Sequence, residues 1–340
     1  MNKIVLVLTI SFALSHRVSA QNSEPIARIA FGSCSHQDDS VQLWKDILAQ
    51  RPDLWIWMGD NVYGDTRNME LLEAKYDLQK SHPDYQALLQ STKVIGTWDD
   101  HDYGMNDGGK FYTKKKESRD LAANFLDIAA KAPLRKREGM YEVYEFGKAP
   151  HKLKVILLDT RYFRDTLMTS SNKEQRYIVN EEGDILGEEQ WKWLEQQLEK
   201  SDAGIHMIGS SIQLVATQHV FEKWNNFPKA RARMLNLLAK TKPANTFFIS
   251  GDRHIAEISK MNVEGLPYPL YDFTSSGLTH TWSTPWEETN DARVGQLIIQ
   301  KNYGLIKINW TGNLPLLEFE IRGHDGKLWQ SIPVILPKPE

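Results

Sequence analysis

Leu54-Trp55-Ile56-Trp57-Met58-Gly59-Asp60-Asn61-Val62-Tyr63 joins five consecutive apolar residues to a glycine, an aspartate and, three positions on, a tyrosine. The apolar run has no polar alternation and is bounded by Pro52 before it and by Gly59 and Gly64 around its end. A run this short, apolar on every position, reads as a strand covered on both faces rather than as a helix. It predicts a central strand of an α/β sheet that delivers a carboxylate and a phenol to its carboxyl end, where open α/β sheets place their ligands.

Working outward, Ile26 to Cys34 reads as a first strand, and Ser40 can cap a helix from Val41 to Gln50 whose Leu43, Trp44, Ile47 and Leu48 share a face. With the opening strand these make a βαβ unit with an expected right-handed crossover. Met69 to Gln79 and Tyr85 to Gln90 are helical by period, and Val94 to Trp98 is a strand running into Asp99-Asp100-His101-Asp102. The glycine- and lysine-rich span from Tyr103 to Lys116 reads as a loop, and Glu117 to Ala130 as an amphipathic helix. Met140 to Phe146 and Leu153 to Leu158 look like paired strands, the second leading to Asp159-Thr160-Arg161. Beyond a polar loop from Thr166 to Asp184, a helix is expected at Leu186 to Lys200, a strand at His206 to Leu214, and a helix entered at Pro228 and running to Lys240. Thr246 to Ser250 is a last core strand before Gly251-Asp252-Arg253-His254. The remainder alternates like antiparallel strands, with turns at Gly312-Asn313 and His324-Asp325-Gly326.

The first twenty residues carry a basic start at Lys3, an apolar stretch from Ile4 to Leu14 and small residues at Val18-Ser19-Ala20. They predict a secretory signal peptide, residues 1–20, with a single domain over 21–340 and a periplasmic or extracellular product. No segment is long enough to suggest a transmembrane span. Without Lys3 and Arg17 the balance is 39 basic against 44 acidic residues, a net charge of about −5, which argues against non-specific nucleic-acid binding. The single cysteine, Cys34, has no intramolecular partner, so export requires it to be buried or ligated. Eleven tryptophans suggest aromatic walls around a pocket, or a carbohydrate-like surface, as well as core.

Five strands thus end in polar groups: Cys34; Asp60 with Tyr63; Asp100 with His101; Arg161; and Asp252 with His254. Singly, such aspartates are usually turn formers or helix caps, and a lone cysteine is usually a small core residue. Jointly they are chemically consistent. Clustered carboxylates repel unless a cation is present, and Cys, His and Tyr add the softer donors of a transition-metal site. The donors exceed what one ion uses, so a two-metal site is the simplest reading. Two cations about 3.5–4 Å apart suit hydrolysis of a phosphate ester by attack of a metal-bound hydroxide. Arg161 would fork onto the non-bridging oxygens, and His101 would protonate the leaving oxygen.

The series Gly32-Ser33-Cys34, Gly59 to Tyr63, Trp98 to Asp107, Leu158 to Arg164 and Gly251 to His254 resembles the motifs of PhoD-like (alkaline phosphatase D) metallophosphatases, relatives of purple acid and calcineurin-like phosphoesterases. The resemblance implies an α/β fold of two mixed β-sheets packed as a sandwich and flanked by helices. It also implies a centre of Fe(III) with one or more divalent cations, expected to be Ca²⁺. Cys34, Asp60 and Tyr63 would hold the iron and Asp60 would bridge. Asp252 and His254 would close the centre, Asp100 would serve the second metal and Asn106 could add an oxygen. This chain departs from the family in lacking the expected preceding β-sandwich domain, and in carrying Gln213 near where calcineurin-like enzymes place a histidine.

Two other functions remain open at this level: phospholipase D-like cleavage of a lipid headgroup, and a glycan-binding surface protein without catalysis. His280 and Trp282 are placed at the pocket rim, or in a buried turn; His219 and Trp224 are expected to pack, and Lys114 to Lys116 to form a solvated loop. The sequence carries no indication of oligomeric state.

Overall fold

The computed structural model describes residues 24–172, 175–282, 288–311 and 315–334. The expected signal peptide and the turn at Gly312-Asn313 lie outside them. The chain enters as β1 (Arg28–Gly32), α1 (Trp44–Ala49), β2 (Leu54–Met58), α2 (Met69–Ser81), α3 (Pro83–Ser91) and β3 (Lys93–Thr97). It continues through the short α4 (Asp100–Tyr103), then α5 (Lys115–Phe125), β4 (Glu142–Phe146), β5 (Leu153–Leu157), the small hairpin β6 (Met168–Thr169) and β7 (Tyr177–Ile178), and α6 (Gly187–Leu198). Next come β8 (Ile205–Ser210), α7 (Pro228–Thr241), β9 (Thr246–Ser250), β10 (Ala256–Met261) and β11 (Leu270–Ser275). The strands β12 (Tyr303–Asn309), β13 (Leu316–Arg322) and β14 (Leu328–Val334) close the series.

Two six-stranded mixed sheets carry the molecule, in the orders β14-β13-β12-β1-β2-β3 and β10-β11-β9-β8-β5-β4. In the first, β1, β2 and β3 run parallel and β12 meets β1 antiparallel; in the second, β5, β8, β9 and β11 run parallel. The sheets face each other across a core of Ile29, Phe31, Leu54, Ile56 and Met58 against Val155, Leu157, Met207, Phe247, Ile249 and Phe273. The opposite faces are covered by helices. Trp55 and Trp57 of β2 pack with Trp44 and Tyr85, while Ile156, Ile208 and Phe248 pack with Trp191, Trp224 and Met234. Alternate residues of β2 therefore serve two apolar layers, which is why its sequence shows no polar face.

Three expectations are corrected. β2 is not central but fifth of six strands, with β3 outside it; double coverage, not position in the sheet, makes the run apolar. The span from Tyr103 to Lys116 is a loop from Gly104 to Lys114, but α5 begins at Lys115, two residues earlier than expected; Lys114 pairs with Glu117 at 3.0 Å, and Lys115 lies over the Tyr162 ring at 4.1 Å. Finally, Trp44, Trp55, Trp57, Trp98, Trp191 and Trp224, six of the eleven tryptophans, are fully buried, so the tryptophan content is mostly core.

Candidate metal centre

Every parallel strand ends at the same edge of the sandwich, and the backbone there is forced into close contact. Gly59 has φ 95°, and a Cβ on it would lie 2.3 Å from the Asp99 Cβ. A Cβ on Gly251 would lie 2.6 Å from Ser33 Oγ and 2.8 Å from the Met58 carbonyl. The turns after β1, β2, β3 and β9 thus pack on one another without room for a side chain at either glycine. The residues beyond them are bent as well: Cys34, Asp60, Asp252 and His254 all have positive φ, between 48° and 69°. Left-handed backbone at four non-glycine residues in one cluster is the kind of strain that accumulates at functional sites.

This geometry brings together most of the residues named from sequence. Cys34 Sγ lies 3.4 Å from Asp60 Oδ2, and Asp60 Oδ1 accepts the His101 backbone N–H at 3.3 Å. Tyr63 Oη sits 3.0 Å from His254 Nε2 and 2.9 Å from His280 Nε2, with its ring stacked on His36 at 4.2 Å. Ligand atoms fall within 4.8 Å of one another in three groups: Cys34, Asp60 and His254; Asp60, Asp100 and His101; and Asp99, Asp100 and Asp252. Asp60 belongs to the first two groups and Asp100 to the last two, so the donors form a continuous chain.

His280 is not at the rim. The Thr279 hydroxyl donates to the Cys34 carbonyl at 3.1 Å, so its oxygen accepts from His280 Nδ1, also at 3.1 Å, and His280 Nε2 turns a lone pair toward Tyr63. Trp282 does stand at the rim, 37% exposed, with Nε1 donating to the Arg253 carbonyl at 3.0 Å. Asn106 is exposed beside the cluster and gives its amide to Asp107 at 2.7 Å.

Arg161 is the clear departure. The expectation was a fork onto phosphate oxygens, but its side chain has no exposed surface; Nε donates to Asp99, and Nη1 donates to Glu222 at 2.5 Å. Arg164 reaches the same Glu222 at 2.9 Å. An arginine so enclosed holds the Asp99–Asp100 turn in place through Nε and Nη1, while its Nη2 is buried without a hydrogen-bond partner among the described residues. Gln213, too, is elsewhere, donating to Glu257 at 2.8 Å and Thr274 at 2.7 Å in a buried network.

Sequence reasoning missed Asp99, Asp102, His36, His280's inward placement, Arg176 and Phe221. Asp102 is the keystone of the turns: its carboxylate accepts from the backbone nitrogens of Asp60 at 3.2 Å, Asn61 at 3.3 Å and Asp99 at 2.7 Å. The run Asp99-Asp100-His101-Asp102 already signalled that several acids share one turn. Only the fold separates the acid that pins backbone from the acids that face the cavity.

The donor set fits cations. Asp99 Oδ2 and Asp100 Oδ1 are buried without a hydrogen-bond partner among the described residues. Burial, followed by the charges of neighbouring acids, raises the proton affinity of Cys34, Asp60 and Asp252; burial, Cys34 and Asp60 do the same to Tyr63. Asp100 goes the other way, to about 2: burial opposes ionisation, but Arg161 and His101 outweigh it. His254 and His280 are held neutral, at about 3 and about 4, by burial and by nearby imidazoles. Groups that give up protons only against a cation, next to imidazoles with free lone pairs, suit a metal centre better than a structural ion-pair network. A cavity of 170 Å³ opens onto the cluster, bordered by Asp100, His101, Arg176, Asp252 and His254.

A metal-dependent phosphoesterase centre at the mouth of a two-sheet sandwich is the class this fold and site define. The chain belongs to the PhoD-like phosphatase family, whose pattern it matches over residues 29–323. Its structure is similar to a solved PhoD at TM-score 0.69 and 17% identity, covering 90% of this chain and 67% of that one. A dimetal phosphatase from Danio rerio matches at TM-score 0.58 and 14% identity, over 92% of this chain and 100% of that one. A Plasmodium protein, GAP50, described as the anchor in the inner membrane complex, matches at TM-score 0.58 and 12% identity, over 93% and 90%. At these identities the structural likeness concerns the fold. No curated protein matches the chain.

Proposed function

We propose that this protein is an exported phosphoesterase that hydrolyses phosphate monoesters and diesters at a mixed two-metal centre, as one catalytic domain over 21–340. The observation that carries the reading is the pair of unlike donor groups joined through Asp60 and Asp100. Cys34, Tyr63, Asp60 and His254 form a thiolate, phenolate, carboxylate and imidazole set suited to Fe(III). Asp99, Asp100 and Asp252 offer oxygens alone, which suits a hard ion such as Ca²⁺, with Asn106 close enough in sequence and exposure to add an amide oxygen. When bound, the cations supply Lewis acidity toward the phosphoryl oxygens and acidify water.

The chain's own groups complete the chemistry. Asp65 holds His101 Nδ1 at 2.8 Å, which fixes the ring and leaves Nε2 to give a proton to the leaving oxygen. Arg176, half-exposed at the cavity and 2.8 Å from Asp107, takes the phosphate-orienting part expected of Arg161. Arg161 is a positioning residue, acting through Asp99 and Glu222. Export rests on the leader-like first twenty residues, and among the described residues no helix is long and apolar enough to cross a membrane.

The test is elemental analysis and a visible spectrum of purified protein, alongside turnover of p-nitrophenyl phosphate and bis-p-nitrophenyl phosphate. A charge-transfer band lost in Cys34→Ser and Tyr63→Phe, together with iron and activity, is the expected result. Full activity in iron-free protein overturns the metal assignment. Exclusive turnover of lipid vesicles would move the assignment to headgroup cleavage.

A further inference from the structure

We propose that a second cavity, which shares Phe221 and Trp282 as wall with the reaction cavity, is the subsite for a planar aromatic leaving group that carries a hydrogen-bonding substituent. The inference rests on the phosphoesterase reading and names the substrate class for that site. The reaction cavity, at 170 Å³, holds little more than a phosphoryl group. Its neighbour measures 430 Å³, enough for a fused ring system, and its lining includes His219, Val220, Phe221 and Trp282. Phe221 and Trp282 border both cavities, so an ester whose phosphoryl group lies in the smaller one can extend its leaving group past their shared wall into the larger.

The walls favour a flat ring over an alkyl chain. His254, Trp282, Phe221 and His219 form a continuous row, with ring centroids 5.9, 5.3 and 6.3 Å apart in succession. Phe221 is itself backed by the Arg253 guanidinium at 4.3 Å, which fixes its plane. A planar guest can enter such a row by offset or edge-to-face contact, which a flexible chain uses poorly.

The polar handle is His219. It is 5% exposed, and neither ring nitrogen has a hydrogen-bond partner among the described residues. The sequence reading made it a packing residue, yet an imidazole buried for packing alone would forfeit two hydrogen bonds for nothing. A substituent with a donor or acceptor at the far edge of the ring would satisfy it. Glu288 borders the same cavity with its carboxylate 2.7 Å from Arg253, which disfavours a second anionic group there.

The experiment compares kcat/KM of the metal-loaded protein on 2-naphthyl phosphate, 6-hydroxy-2-naphthyl phosphate, hexyl phosphate and methyl phosphate. Phe221→Ala is expected to lower the naphthyl-to-methyl ratio about tenfold, mainly through KM, and Phe221→Tyr to restore it. The hydroxylated ester should be preferred several-fold, and His219→Phe should erase that preference. Equal loss on the naphthyl and methyl esters overturns the subsite. A hexyl-to-methyl ratio that falls as far as the naphthyl one overturns the planar guest in favour of an alkyl chain. If the wild type turns over none of these esters, the phosphoesterase reading fails first. Calorimetry with 2-naphthol then still tests the cavity: binding weakened about tenfold by Phe221→Ala supports it, and no binding to the wild type overturns it.

Discussion

Gly59-Asp60 after β2 and Gly251-Asp252 after β9 are the same device built twice, once on each sheet. Both begin at a fully buried strand, both need a glycine for close backbone approach, and both leave an aspartate in left-handed backbone, at φ 48° and 69°. Each is followed within three residues by a ring, Tyr63 or His254, and these two meet at 3.0 Å. Their surroundings differ. Asp60 is 1% exposed, enclosed by Cys34, the His101 amide and the Asp102-pinned turn. Asp252 is only half-buried and borders the open cavity. Identical local signatures thus yield an enclosed carboxylate on one sheet and a more accessible one on the other, because the neighbouring turns cover one and not the other.

The difference can be broken at several levels. Asp60→Asn should be the most severe change, removing the donor shared by two ligand groups; kcat/KM on an aryl phosphate should fall about a thousandfold or more, with both metals depleted in elemental analysis. Asp252→Asn should cost about a hundredfold and deplete mainly the second metal. Equal losses from the two variants would refute the distinction between enclosed and accessible carboxylate. Gly59→Ala addresses the backbone instead. A Cβ set against Asp99 at positive φ should destabilise the fold by about 3 kcal/mol, measured by urea denaturation.

A smaller effect should arise at the opposite end of the second sheet, away from either aspartate. His206, near the start of β8, donates from Nδ1 to the Ala244 carbonyl and accepts at Nε2 from Ser201, each at 2.8 Å. Burial lowers its pKa to about 4, below the unfolded value of 6.5, so the unfolded chain binds more protons between those values. Its contribution is therefore full above pH 6.5 and is lost as pH falls toward 4, amounting to about 2 kcal/mol between pH 8 and pH 5. His206→Gln should flatten that part of the stability profile without changing bound metal. A profile that stays as steep would assign acid sensitivity to the carboxylate cluster.

Much of the site was legible because strand-end motifs are local. An uninterrupted apolar run followed by Gly-Asp specifies a covered strand and a tight turn whatever the partner, and this holds for Leu54 to Asp60 and for Thr246 to Asp252. Arg161 was legible as a strand-end residue but not as a buried one. Its ion pair with Asp99 joins residues 62 positions apart, and that with Glu222 spans 61. Phe221 and His219 left no signal at all, since nothing local distinguishes a loop aromatic that packs from one that lines a cavity.

By itself the sequence determined the alternation of covered strands and amphipathic helices, the identity of the donors at the strand ends and hence the family's chemistry. These follow from periodicity and residue type within a few positions of one another. The tertiary structure alone decided which acid is enclosed and which is open, which arginine faces solvent, and that Phe221, Trp282 and His219 surround one cavity. Burial and electrostatic pairing are properties of distant segments brought together, and they exist only once the two sheets have closed on each other.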